Sequence, residues 1–119
     1  MSFDRPERME LLQGTLDLLI LRTLLFGQAH GHAIAKHIQR TSESALQVET
    51  GSLYPALHRL EKQQLISSKW EISEKGKRAK FYRLTPAGKR QLTAERSRWE
   101  HMSRAIGRVL EALSWSGTL

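Results

Sequence analysis

The spacing of apolar residues changes twice along this chain, and that change limits what it can fold into. Up to Leu65 they recur at helical intervals, from Ile66 to Leu84 they alternate, and from Pro86 the helical interval returns. Ile66, Ser68, Trp70 and Ile72 share one parity, and a second extended run from Ala79 to Leu84 contains Phe81 and Tyr82. Between them Ser73, Glu74, Lys75, Gly76, Lys77 and Arg78 supply a glycine-bearing turn. The stretch predicts a two-stranded hairpin with a basic tip, flanked by helices on both sides.

Residues 1–8 show no periodicity and read as a frayed tail. From Met9, the positions Leu12, Leu16, Leu19, Ile20, Thr23 and Leu24 predict a first helix, and Leu11, Leu18, Leu21 and Leu25 fill most of its remaining circumference. A helix apolar nearly all round must be covered on more than one side, which points to a second subunit. Gly27 stops it, and Gly27 and Gly31 bracket a turn. A second helix is expected from His32 to Arg40, with Ala33, Ile34 and Ile38 inward and a break at residues 41–44.

Pro55 lacks an N–H and is tolerated in a first turn, so a third helix is expected to begin at Gly51 or Ser52, with Thr50 and Ser52 as candidate caps. Its inner stripe is Leu53, Ala56, Leu57 and Leu60; its outer face is Ser52, Pro55, Arg59 and Lys62, with Tyr54 and His58 on one flank. Thr85 followed by Pro86 is a strong start signal for a last helix running to about Leu113. Leu92, Trp99, Ile106 and Leu113 fall at one heptad position, and Met102 and Val109 three further on. At about 42 Å this helix outruns the other three, so its stripe predicts dimerisation with a second copy. The fold class is mainly α with a small β-hairpin: a winged helix-turn-helix over residues 1–85 and a long C-terminal dimerisation helix over residues 86–119.

Composition narrows the function. The 39% hydrophobic and 26% charged residues describe a globular chain, and zero cysteines rule out disulfides and thiolate metal sites. No apolar run approaches the ~18 residues of a membrane span, and acids among the N-terminal bases do not suit a secretory signal, so a cytoplasmic location is expected. Net charge is +7, all of it in residues 61–119, where thirteen bases meet six acids. The window from Lys75 to Arg90 contains no acid at all. Such a surface points to a polyanion, above all nucleic acid, against the alternative of a solvated, solubilising face.

The stretches LLQGTLDLLILRTL (Leu11 to Leu24), HGHAIAKHI (His30 to Ile38), ETGSLYPALHRLEKQQLI (Glu49 to Ile66) and YRLTPAGKRQL (Tyr82 to Leu92) resemble the PadR family of bacterial transcription regulators, in its short branch with a single C-terminal helix. GSLYPALHRLE is the most specific piece. The resemblance implies a dimeric winged helix-turn-helix repressor whose last helix packs against helix 1 of its partner. His32 stands where many relatives carry an aromatic residue, and Ala29 at or near a common proline.

In a winged helix-turn-helix the third helix enters the major groove and the hairpin tracks the neighbouring backbone or minor groove. Thr50, Ser52, Tyr54, Pro55, His58, Arg59 and Lys62 are therefore candidate DNA contacts on the helix. Lys75, Lys77, Arg78 and Lys80 are the candidates on the wing. Each has a plainer alternative: capping for Thr50 and Ser52, a staple onto the core for Tyr54, an ion pair for Arg59, an inert wet hairpin for the wing. Arg59 has no acid three or four positions away on its own helix. Trp70, Phe81 and Tyr82 are expected to anchor the hairpin rather than stack on bases. The partners expected are double-stranded DNA with a pseudo-palindromic operator and a second copy of the chain; a winged module for protein or RNA contact is the alternative. Trp99 is open between interface packing and a site where paired indoles hold a planar aromatic effector, a role that the family resemblance implies. The five histidines lack the spacing of a metal site, no catalytic motif is present, and no cofactor is expected.

Overall fold

The computed structural model describes residues 13–113. Met9, Leu11 and Leu12 of the expected first helix, and the tail before them, lie outside the described residues. The elements are α1 (Gln13–Leu24), β1 (Ala29–His30), α2 (Gly31–Thr41), α3 (Thr50–Lys62), β2 (Ile66–Ile72), β3 (Arg78–Leu84) and α4 (Pro86–Glu111). Three helices enclose one apolar centre. Leu16, Ile20, Leu21 and Leu24 of α1 meet Ile34 and Ile38 of α2 and Leu53, Ala56, Leu57 and Leu60 of α3. Ile66 and Tyr82 close it from the sheet and Leu92 from α4. Each fully buried Leu or Ile contributes about 1.5–3 kcal/mol, so this cluster holds the other elements in place.

Local chemistry sets the helix ends. The hydroxyl of Thr23 donates to the Leu19 carbonyl, the last turn of α1 tightens through Leu25, Phe26 and Gly27, and Gly27 leaves at φ +146°, a conformation suited to glycine. At the start of α2, His30 Nδ1 accepts from the Ala33 N–H at 3.1 Å. At the start of α3 the expected caps are displaced. Glu49 is the N-cap residue, and its carbonyl accepts from the Ser52 and Leu53 N–H groups; Thr50 and Ser52 are already helical. Pro55 thus sits in the second turn rather than the first. The bond it cannot make would have ended on Gly51, and both residues are exposed, so that carbonyl is open to solvent rather than buried without a partner.

The sheet has three strands, in the order β1-β3-β2, one more than the hairpin expected. β1 pairs antiparallel with β3 through Ala29↔Tyr82 and His30↔Phe81. A two-residue strand carries no alternation to read, and only the placement of β3 beside the α1 to α2 turn creates it. β2 and β3 pair from Ile66↔Leu84 out to Ile72↔Arg78, and the turn closes with Gly76 at φ +75°. Ile66 and Tyr82 anchor the hairpin. Trp70 does not, contrary to expectation: its place lies past the core, and it is 55% exposed. Phe81 is half-buried, meeting the His30 ring edge-on at 5.4 Å.

Thr85 caps α4 by accepting from the Gly88 N–H at 3.0 Å, and its hydroxyl lies within bonding distance of the Gln64 and Leu65 carbonyls. Gly88 passes so close to the Leu65 carbonyl that a Cβ would stand 2.0 Å from it. Leu92 requires a correction. It is buried in the core of its own chain and is not part of a free stripe, because the first turns of α4 are pressed onto that core. Beyond Leu92 no described residue of α4 is buried, and Trp99, Met102, Ile106, Val109, Leu110 and Leu113 are all exposed. The projecting helix stretches the molecule to 64 Å in its longest dimension.

Candidate nucleic-acid interface

The inward stripe Leu53, Ala56, Leu57 and Leu60 fixes the rotation of α3, which leaves Thr50, Ser52, Tyr54, Pro55, His58 and Lys62 exposed. Arg59 is the exception. Its Nη2 lies 2.7 Å from Asp17 Oδ1 on α1, with both side chains less than a third exposed. No acid on its own helix was in reach, and packing supplied one from another helix. Arg59 is therefore committed to the α1 to α3 contact.

Tyr54 is packed on one side and open on the other. Its ring lies over Gly31 at the start of α2, so that a Cβ there would come within 2.7 Å of the Tyr54 hydroxyl oxygen, yet the side chain keeps a large exposed surface. A larger residue at Gly31 would push the Tyr54 ring aside. The His30 and His32 rings lie nearly parallel beside it, 6.4 Å apart.

On the wing, Lys75 and Lys77 stand exposed at the turn. The turn is held by the Ser73 N–H donating to the Lys77 carbonyl at 2.7 Å and by the Gly76 N–H donating to the Ser73 carbonyl at 2.9 Å. Arg78 lies over the Trp70 indole, its Cζ 4.8 Å from the ring centroid. Lys80 is drawn back toward α3, where its Nζ is 3.5 Å from Glu61 Oε1. Glu61 also accepts a short hydrogen bond from the Ser68 hydroxyl, so one carboxylate ties both strands of the wing to α3. Burial pushes the Tyr82 phenol above its ordinary value of 10.0, and the Glu61 carboxylate and then the neighbouring Tyr54 phenol add to this.

These pieces border one open groove of about 750 Å³, whose lining includes His30, His32, Tyr54, Trp70, Lys77 and Arg78. Thus Tyr54, Lys75, Lys77, Arg78 and Lys80 come together, while Arg59 is diverted to α1. His30 and His32 are groove residues that the sequence reading left out, and two histidines flanking Gly31 were the only signal for them; the same reading weighs Trp70 as a base-stacking platform but assigns it to the hairpin's anchor instead. The exposed stripe on α4 lies outside this groove. Among the described residues, no helix is long and apolar enough to cross a membrane.

The model of the transcriptional regulator PadR-like family matches residues 20–94. The transcriptional regulator Rv3488 of Mycobacterium tuberculosis is 32% identical over 97 residues, which cover 82% of this chain and 87% of that protein. A transcriptional regulator from Clostridium thermocellum superposes with a TM-score of 0.74 at 31% identity, covering 81% of this chain and 93% of that one. A PadR family transcriptional regulator from Eggerthella lenta superposes with a TM-score of 0.70 at 33% identity, covering 84% and 85%.

Proposed function

Because this chain belongs to the PadR-like family of transcriptional regulators, DNA-binding proteins and not enzymes, we propose that it works as a homodimeric repressor in the cytoplasm. Helix α3 enters the major groove, where Ser52, Tyr54, His58 and Lys62 reach bases and phosphates and Thr50 and Pro55 border the same exposed face. The wing follows the adjacent backbone or minor groove with Lys75, Lys77 and Arg78, and Lys80 sets its angle against α3. The observation that carries this reading is the convergence of the Tyr54 flank of α3 and the acid-poor wing on one open groove. A second copy covers Trp99, Met102, Ile106, Val109 and Leu113. In a two-fold dimer this places two recognition helices in successive major grooves of a pseudo-palindromic operator.

The test is a shift assay on the DNA upstream of the chain's own gene and on mixed-sequence duplex, titrated at several salt concentrations. Lys77→Ala with Arg78→Ala should weaken binding to both DNAs alike and reduce the salt slope by roughly two units. Tyr54→Ala should narrow the gap between the two DNAs at nearly constant slope. An unchanged slope in the double variant would remove the wing from the backbone, and binding to RNA but not duplex would replace the reading altogether.

A further inference from the structure

Trp70 and Arg78 form a pair that the fold does not need. The hairpin is anchored by Ile66 and Tyr82, so the indole adds little to its attachment, and more than half of it is open to water. Exposure by itself says little, but here the open indole lies beside a cation on the neighbouring strand. Arg78 stands two residues along β3 from Lys80, the directly paired neighbour of Trp70, and this diagonal lets its guanidinium lie on the indole face.

The two lysines on the wing's strands have acidic partners, while among the described residues Arg78 and Arg83 on β3 do not, and of these two arginines it is Arg78 that lies over an aromatic ring. Lys69 lies 3.7 Å from Glu71 and Lys80 lies 3.5 Å from Glu61, whereas Arg78 makes no ion pair among the described residues. The Arg78 side chain makes no hydrogen bond among the described residues, so its N–H groups are available, and they are what a phosphate or a base edge accepts.

We propose that Trp70 is a positioning residue for DNA binding: its indole holds the Arg78 guanidinium flat so that the N–H edge faces the nucleic acid. The idea rests on the reading that the wing meets DNA. An unsupported arginine would lose its rotamer freedom on binding, and the indole removes part of that loss in advance. Lysine at residue 78 could not replace it, having no planar edge to present.

The experiment is a double-mutant cycle on the full chain with a labelled mixed-sequence duplex of about three helical turns, using Trp70→Ala, Trp70→Phe, Arg78→Ala and the pair Trp70→Ala with Arg78→Ala. Thermal melts identify any variant that has lost its fold. Trp70→Ala should weaken binding about two- to fivefold, the amount expected of an exposed cation–π contact, and Trp70→Phe should recover most of it. In the Arg78→Ala background, Trp70→Ala should cost nothing further, and the salt slope should be set by residue 78 alone. Equal loss in both backgrounds would overturn the proposal, because the indole would then act on DNA or on the fold directly. No loss from Trp70→Ala while Arg78→Ala weakens binding would overturn it too, leaving the wing reading intact. No effect of Arg78→Ala would also overturn it, and failure of the parent chain to bind any duplex would instead overturn the DNA-binding function.

Discussion

Arg59 points its guanidinium at Asp17 across the α1 to α3 contact, and this one carboxylate decides what the residue does. With both groups partly sheltered, the pair is worth about 1 kcal/mol. Asp17→Asn is therefore expected to lower the unfolding free energy by about that amount, read as a lower urea midpoint at unchanged slope, while affinity for mixed-sequence duplex rises slightly, because a cation is released beside α3. An unchanged midpoint would show the pair to be energetically idle. Tyr82 carries a prediction of a different kind. Its raised phenol pKa means that the folded state keeps its proton where the unfolded chain has begun to lose it. Stability is insensitive to this group below about pH 10 and falls as pH rises from there toward the folded pKa. Urea titrations through that window should show a steeper fall in the parent than in Tyr82→Phe, where the lysine ion pairs alone weaken. Asp17 and Tyr82 were readable as residues, but their partners were not, since Asp17 is 42 residues from Arg59 and Glu61 is 21 from Tyr82.

At the scale of elements, α4 has a clamped beginning and an unclamped remainder. Gly88 is locked between the Leu65 carbonyl and Leu84, while a Cβ at Gly107 would meet nothing within 4 Å. Gly88→Ala should cost about 1–3 kcal/mol or more, because the neighbour in its way is backbone. Gly107→Ala should add about 0.5–1 kcal/mol through helix propensity. Denaturant midpoints of the two variants check both, and similar effects would contradict the clamp. The start of α4 was legible because Thr85 and Pro86 are local signals. The start of α3 was misjudged by two residues or fewer: its cap is a backbone carbonyl at Glu49, which no side chain announces.

For the whole molecule, the exposed stripe past Leu92 is too large an apolar surface to leave to water. Light scattering is expected to give about twice the chain's 13.7 kDa, and Ile106→Asp with Val109→Asp should shift the molecule to a monomer with weakened operator binding. A parent that stays monomeric at micromolar concentration would remove the two-fold operator geometry with it. Trp99 should behave as packing in this interface. Planar aromatic dyes are expected to quench the parent and a still-dimeric Trp99→Ala protein equally, and quenching lost with Trp99 would identify an effector site instead. Trp115, the other candidate reporter besides Trp70, lies outside the described residues.

Periodicity, capping pairs and charge distribution determined the order of helices, the hairpin, the long last helix and the basic wing, because each is written within a few residues of itself. Packing alone decided the rest. β1 exists because the α1 to α2 turn is brought against β3, Leu92 is core because α4 starts on α1, Arg59 is spent on Asp17, and Trp70 lies under Arg78 instead of in the core. All four depend on which side chains meet across segments distant in sequence, and a local pattern contains the side chains but not their distances.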